Sequence, residues 1–153
     1  MKRWKWWAVI GAVALLAAAC SGDDSSEGEP IELPPAADDV VLRVIIGGEL
    51  AADWTLETLD YNLPFRTLIL DGDEQEGPLL LDVLEASGVV DWESMEVIGL
   101  GEGRSFEVSL FVNSSEVNQT WIFDVSNQGT LKLAADNLPR DKWVRDVAEL
   151  RIN

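Results

Sequence analysis

Through the second half of this chain, side chains change character at every second residue, and that period limits what the chain can fold into. Phe106, Val108, Leu110 and Val112 alternate with Ser105, Glu107, Ser109 and Phe111. Successive side chains of a strand point to opposite faces, so a period of two is the signature of a half-buried strand. Trp121, Phe123 and Val125 alternate with Ile122 and Asp124, and Leu131 and Leu133 flank Lys132. Ala148, Leu150 and Ile152 alternate with Glu149 and Arg151 in a last strand. Earlier, Val40–Ile46 is an apolar, β-branched run stopped by Gly47 and Gly48, and Arg66–Leu70 and Met95–Leu100 read as further strands.

Helical signals are few. Trp54–Leu59 has helical spacing, with Asp53 or Thr55 as its cap and Pro64 beyond its end. Leu79–Ser87 reads as a short helix. Pro78 stands at its start, where a missing N–H costs nothing, and Gly88 stands where a left-handed C-cap is wanted. Leu80, Val83 and Leu84 form its buried stripe. The expected fold class is α+β: a mainly β, mixed-sheet, sandwich-like domain with two short helices.

The N-terminus restricts where such a domain resides. Met1-Lys2-Arg3-Trp4-Lys5 is followed by an apolar run, Trp6–Ala19, and then by Cys20. This is the pattern of a secretory signal with small residues at its cleavage site. The run is 14 residues long, whereas a spanning helix needs about 20. Cys20 directly after Leu16-Ala17-Ala18-Ala19 resembles a bacterial lipobox, although leucine is commoner where Ala17 stands. The resemblance implies that the thiol is acylated and becomes the new N-terminus. Three segments follow: a lipoprotein signal peptide over 1–19, a lipidated cysteine and disordered acidic linker over 20–39, and a single domain over 40–153. The linker is rich in Asp, Glu, Ser, Gly and Pro and cannot bury enough surface to offset its ordering entropy.

Charge and composition exclude several functions. The chain has 11 basic and 28 acidic residues. Cleavage before Cys20 removes Lys2, Arg3 and Lys5 and no acid, which brings the net charge to −20. Such a surface repels phosphate backbones and anionic headgroups, so no nucleic acid is expected as a partner. Membrane contact is expected through lipid on Cys20, with a protein or small-molecule partner of unknown identity. The chain has no histidine and Cys20 is its only cysteine, so a Ser-His-Asp triad and His-ligated zinc are excluded. With Cys20 acylated, thiolate chemistry is excluded as well.

Three local motifs could carry chemistry. Asp71-Gly72-Asp73-Glu74-Gln75-Glu76-Gly77 resembles the start of a calcium loop, but Glu76 occupies the position where an EF-hand needs glycine. A surface turn is the expected reading, with weak cation binding as the alternative. Gly99-Leu100-Gly101-Glu102-Gly103-Arg104 has Arg104 in place of the third glycine of a dinucleotide fingerprint, and a strand follows it. It reads as a hairpin turn. Asn113-Ser114-Ser115 and Asn118-Gln119-Thr120 match the glycosylation sequon and mark a loop between strands.

Two segments carry a family resemblance. Gly77-Pro78-Leu79-Leu80-Leu81-Asp82-Val83-Leu84-Glu85-Ala86-Ser87-Gly88-Val89 resembles the G-x-x-L-x-D-L-L-E-x-A-G-V segment of the sulfite-oxidase-type molybdopterin-binding oxidoreductase domain. Gly129–Leu133 and Lys142–Ile152 are similar to that family's G-P-L-R-L and K-W-V-K-x-V-x-x-I-x-V ending. The resemblance covers nearly all of 40–153. It implies a mixed α+β fold and a cofactor whose molybdenum is held by a cysteine thiolate after the strand matching Arg66–Leu70. It also implies a basic residue in the tail that binds the cofactor. Arg145 stands at that position, with Lys142 nearby.

No cysteine follows the matching strand here, and an acidic loop cannot replace a soft thiolate on molybdenum. Two readings result. The first is a lipid-anchored extracytoplasmic bacterial protein whose non-catalytic domain serves binding or interaction, with no cofactor. The alternative is a molybdopterin-dependent oxidoreductase that keeps its cofactor without a cysteine ligand. For the anchor, Cys20→Ala is expected to abolish labelling by a radioactive fatty acid and to release the protein from sedimented membranes. A variant that still sediments would identify Trp6–Ala19 as a true span.

Overall fold

The computed structural model describes residues 33–101 and 107–153. Cys20, most of the expected linker, Ser105 and Phe106 lie outside them. The elements in chain order are β1 (Val40–Ile46), β2 (Glu49–Thr55), α1 (Leu56–Asn62), β3 (Phe65–Leu70), β4 (Asp73–Pro78), α2 (Leu80–Ala86), β5 (Ser94–Leu100), β6 (Glu107–Asn113), β7 (Ile122–Val125), β8 (Leu131–Ala134) and β9 (Arg145–Ile152). The fold is α+β: mostly strand, with a mixed sheet and two short helices. The main sheet runs β2-β1-β9-β5-β6. β1 is parallel to β9, and the other neighbours are antiparallel. β3–β4 and β7–β8 are separate hairpins.

One face of the main sheet builds the core. Leu42, Val44, Met95, Val97, Leu150 and Ile152 are buried there, together with Leu59 of α1 and the Leu80, Val83 and Leu84 stripe of α2. Trp121, Phe123, Leu131 and Leu133 join them from around β7 and β8. A smaller cluster gathers Leu70, Ile122, Ala134 and Trp143. β7 therefore has apolar neighbours on both faces. That is why Ile122, expected opposite the buried side chains, is itself fully buried.

Two strands fall where the sequence reading placed none. Glu49–Thr55 has alanine and acid where β-branched residues are usual, yet it pairs along the length of β1. Trp54 thus belongs to β2, and the helix starts after it. Thr55 is the cap: its Oγ1 accepts from Thr58 N–H at 3.1 Å, and Thr58 Oγ1 accepts from Thr55 N–H at 2.9 Å. The indole of Trp54 donates to Ser87 Oγ at 2.9 Å, and Ser87 Oγ donates to Val83 C=O at 2.8 Å, tying the sheet to the end of α2.

The acidic stretch after β3 turns only at Asp71 and Gly72, with φ of 52° and 83°, and then runs on as β4. Positive φ at both central residues is what a two-residue type I′ hairpin turn needs, and Asp-Gly is a favoured pair for it. Pro78 ends β4, and Leu79 is the N-cap of α2. The first helical amide, Leu80 N–H, is satisfied by Trp121 C=O at 2.8 Å. Gly88, with φ of 81°, takes the C-cap conformation expected of it.

β9 departs from a simple period of two. Ile98 faces Glu149 but Leu100 faces Arg145, so extra residues of β9 bulge opposite Gly99. The bulge changes the parity: Val147 joins Leu150 and Ile152 inside, and Ala148 is exposed. Gly99 permits it, since a Cβ there would lie 2.5 Å from Arg145 C=O. Gly99 and Leu100 are thus strand residues of a β5–β6 antiparallel pair, and residues 102–104 of the expected turn lie outside the described ones. At the other end, residues 33–39 have no regular structure. Within them, Pro34 C=O accepts from Arg43 at 2.7 Å.

β4 and β7 meet at Gly77, where a Cβ would fall 1.9 Å from Phe123 C=O. Gly77→Ala is therefore expected to force the two strands apart and cost about 3 kcal/mol, the upper end for overpacking. Thermal unfolding should show a Tm lower by about 10 °C; an unchanged Tm would mean that β4 and β7 separate freely.

Candidate functional site

The chain between β8 and β9 reverses through a single 3-10 turn, Arg140–Lys142, that ends on Trp143. Trp143 is 5% exposed and belongs to the smaller apolar cluster, so it is a core residue. Its indole N–H donates to Leu138 C=O at 3.2 Å. Two cations lie against its ring, Lys132 Nζ at 5.6 Å and the Arg140 guanidinium at 5.5 Å from the centroid.

Each of those cations is held by acid. Lys132 pairs with Asp124 at 2.9 Å, and the other oxygen of Asp124 accepts from Glu76 N–H at 2.9 Å. Arg140 pairs with Asp73 at 2.5 Å and Asp71 at 3.3 Å. These two carboxylates make the guanidinium hold its proton more firmly than usual, Asp73 contributing most. The acidic turn singled out as a possible calcium loop thus spends two of its carboxylates on Arg140. Among the described residues no three His, Cys, Asp or Glu side chains gather as a metal site.

A second polar knot fixes the entry to this segment. Asp136 accepts from Thr120 Oγ1 at 2.5 Å and from Asn118 Nδ2 at 3.3 Å. These bonds, that of Thr120 first, hold the Asp136 carboxyl below its ordinary pKa. Asn118 Oδ1 in turn accepts from Thr120 N–H at 2.7 Å. Of the two sequon asparagines, Asn113 is the last residue of β6 and Asn118 lies between β6 and β7. Asn137 accepts from the Trp121 indole at 2.8 Å and donates to Glu116 C=O at 2.7 Å.

Clefts open beside Trp143. One, about 460 Å³, is lined by Ile69, Asp71, Asp136, Asn137 and Arg140 among others. Another, about 440 Å³, lies between Val108–Leu110 and Asp141–Val144. Lys142 is exposed and lines the second cleft. Arg145 is half-buried at the start of β9, opposite Leu100, and lines neither. The two basic residues suggested by the family ending are therefore not brought into one cleft. Cys20 lies outside the described residues. Asp136, Asn137 and Arg140 were not singled out in the sequence, where no spacing links Arg140 to Asp71.

The residues that follow β3 do not fit a thiolate-held molybdenum. They form a tight turn, offer only oxygen donors, and give two of those carboxylates to Arg140.

Loss of the Thr120 hydroxyl tests the Asp136 knot. A carboxyl held low in the fold contributes stability above its unfolded pKa, and that contribution is lost as pH falls through the folded value. Thr120→Val is expected to move the Asp136 titration, read by carbon NMR of the carboxyl, up toward its ordinary value. An unmoved titration would show that Thr120 does not set it.

No family model and no curated protein sequence matches this chain.

Proposed function

We propose that this chain is a lipid-anchored extracytoplasmic bacterial protein whose domain serves binding and not catalysis. The observation that carries the reading is the Asp71–Gly72 turn. In the family that the sequence resembles, the strand matching β3 is followed by the cysteine that ligates molybdenum. Here that place is a two-residue hairpin turn whose Asp71 is paired with Arg140. The lone Cys20, consumed by the anchor, leaves no other thiolate to substitute. Under this reading the fold is kept for its surface, and the fatty chain supplies the membrane contact that a net acidic surface cannot make. Among the described residues no helix is long and apolar enough to cross a membrane.

Lys142 and Arg145 are the residues on which the enzyme alternative rests. If that alternative held, they would contact the anionic pterin phosphate as charge-assisted donors. The test is metal analysis and pterin fluorescence on the mature protein purified from a host that makes the cofactor. Background levels of both are expected. Stoichiometric molybdenum would overturn the binding reading in favour of the oxidoreductase.

A further inference from the structure

We infer that the free edge of β6 is a docking groove for an extended, basic segment of a partner protein, which adds to the main sheet as a sixth strand. This deepens the binding reading above and rests on it. Among the described residues β6 is the last strand of the sheet and pairs only with β5. Which of its backbone groups are free follows from its register. Ser94 faces Asn113 in that pair, and Ser114 N–H bonds Glu93 C=O at 2.9 Å. In an antiparallel ladder, residues that exchange hydrogen bonds alternate with residues that do not. Val112, Leu110 and Val108 therefore direct their N–H and C=O at β5, and Ser109, Phe111 and Asn113 direct theirs away. Asn113 N–H is taken by Glu116 Oε2 at 2.8 Å. Ser109 and Phe111 have no backbone partner among the described residues and offer four groups to an incoming strand.

Beside this edge the surface is open. The cleft of about 440 Å³ separates Val108–Leu110 from Asp141–Val144. A second, about 260 Å³, separates Leu110–Val112 from Trp121 and Leu138. Leu110 lines both, so together they follow the edge for most of its length. Val108 and Leu110 are only half-buried, whereas Val97 and Gly99, their neighbours on β5, are buried. The inner face of the sheet thus lacks cover where a sixth strand would supply it. Phe111, 72% exposed on the other face, stands ready to flank the same strand.

Charge selects the occupant. Glu116 and Asp141 line the two clefts with Lys142, and the other cations near them, Lys132 and Arg140 beside Trp143, are each paired with acid, on a chain of net charge −17. A second copy, or the chain's own acidic linker, would meet like charge. An extended segment with alternate apolar side chains toward Leu110, Trp121 and Trp143, and Lys or Arg outward, matches both the backbone and the field.

The test uses the full-length protein in detergent and a synthetic peptide of about nine residues alternating Lys and Val, long enough to span the edge. Ser109→Pro removes one outward N–H and blocks the edge, yet breaks no β5–β6 bond, so it should leave Tm nearly unchanged. The variant is expected to bind the peptide about tenfold more weakly or worse, and a Glu/Val version of the peptide should bind the wild type weakly. Peptide N-methylation supplies a readout that needs no variant: methyls on one set of alternate amides should abolish binding, and methyls on the other set should not. Equal binding by wild type and Ser109→Pro, or no binding of the Lys/Val peptide to wild type, would overturn the groove and leave the binding reading standing. Self-association that Ser109→Pro abolishes would overturn it in favour of a second copy. Stoichiometric molybdenum in the preceding experiment would remove the binding reading without bearing on the edge of β6.

Discussion

The parallel pairing of β1 with β9 is the contact on which the rest of the molecule depends. Val44 stands opposite Leu150 and Ile46 opposite Ile152, so the first and last strands of the domain lie side by side in the middle of the sheet. A parallel pair needs a crossover connection, and here that connection is everything from β2 to β8. Closing so long a loop costs entropy before any contact repays it. The repayment comes from the core enclosed against the inner face, where Leu42, Val44, Val97 and Leu150 are fully buried. β5 then has a partner in β9, and β6 has one in β5, which among the described residues leaves β6 at the margin with one edge unpaired.

Acidic residues are abundant, and their local use is specific. Asp124 bridges β4 and Lys132, and Asp71 and Asp73 hold Arg140, while both cations rest against Trp143. Exposed ion pairs contribute about 0–1 kcal/mol each, and exposed cation–π contacts are of similar size. Their value here is positional. They converge on one indole and fix the 3-10 turn that forms the far wall of the groove along β6. Asp136 and Asn137 fix the same segment from its other end through Thr120 and Trp121. The groove is thus bounded by a sheet edge on one side and a doubly pinned loop on the other.

Legibility in the sequence followed local strength of signal. β1, β3, β5 and α2 were readable because β-branched runs, a Pro and Gly frame, and a Leu/Val stripe act within a few residues. β2 and β4 were not. Ala51, Ala52 and Asp53 favour no strand, and Asp73-Glu74-Gln75-Glu76 reads as loop. Each becomes strand because a tight turn folds it onto a strong neighbour, and strand preference is mostly context. Ala148 was assigned to the wrong face for a related reason: a bulge opposite Gly99 resets the parity, and no residue of β9 announces it. Of the candidate site, Lys142 and Arg145 stood out in the sequence. Arg140, Asp136 and Asn137 did not, because their partners are distant in the chain.

The sequence by itself determined that this is an α+β domain rich in strand, that its chemistry must proceed without histidine, and that its one cysteine precedes the domain. Those are statements about composition and period, which need no fold. The tertiary structure alone decided that β1 and β9 share the centre of the sheet, that the acidic turn serves Arg140, and that β6 is the outermost strand among the described residues, beside two clefts. These depend on which distant residues meet, and a period of two carries no information about the partner of a strand.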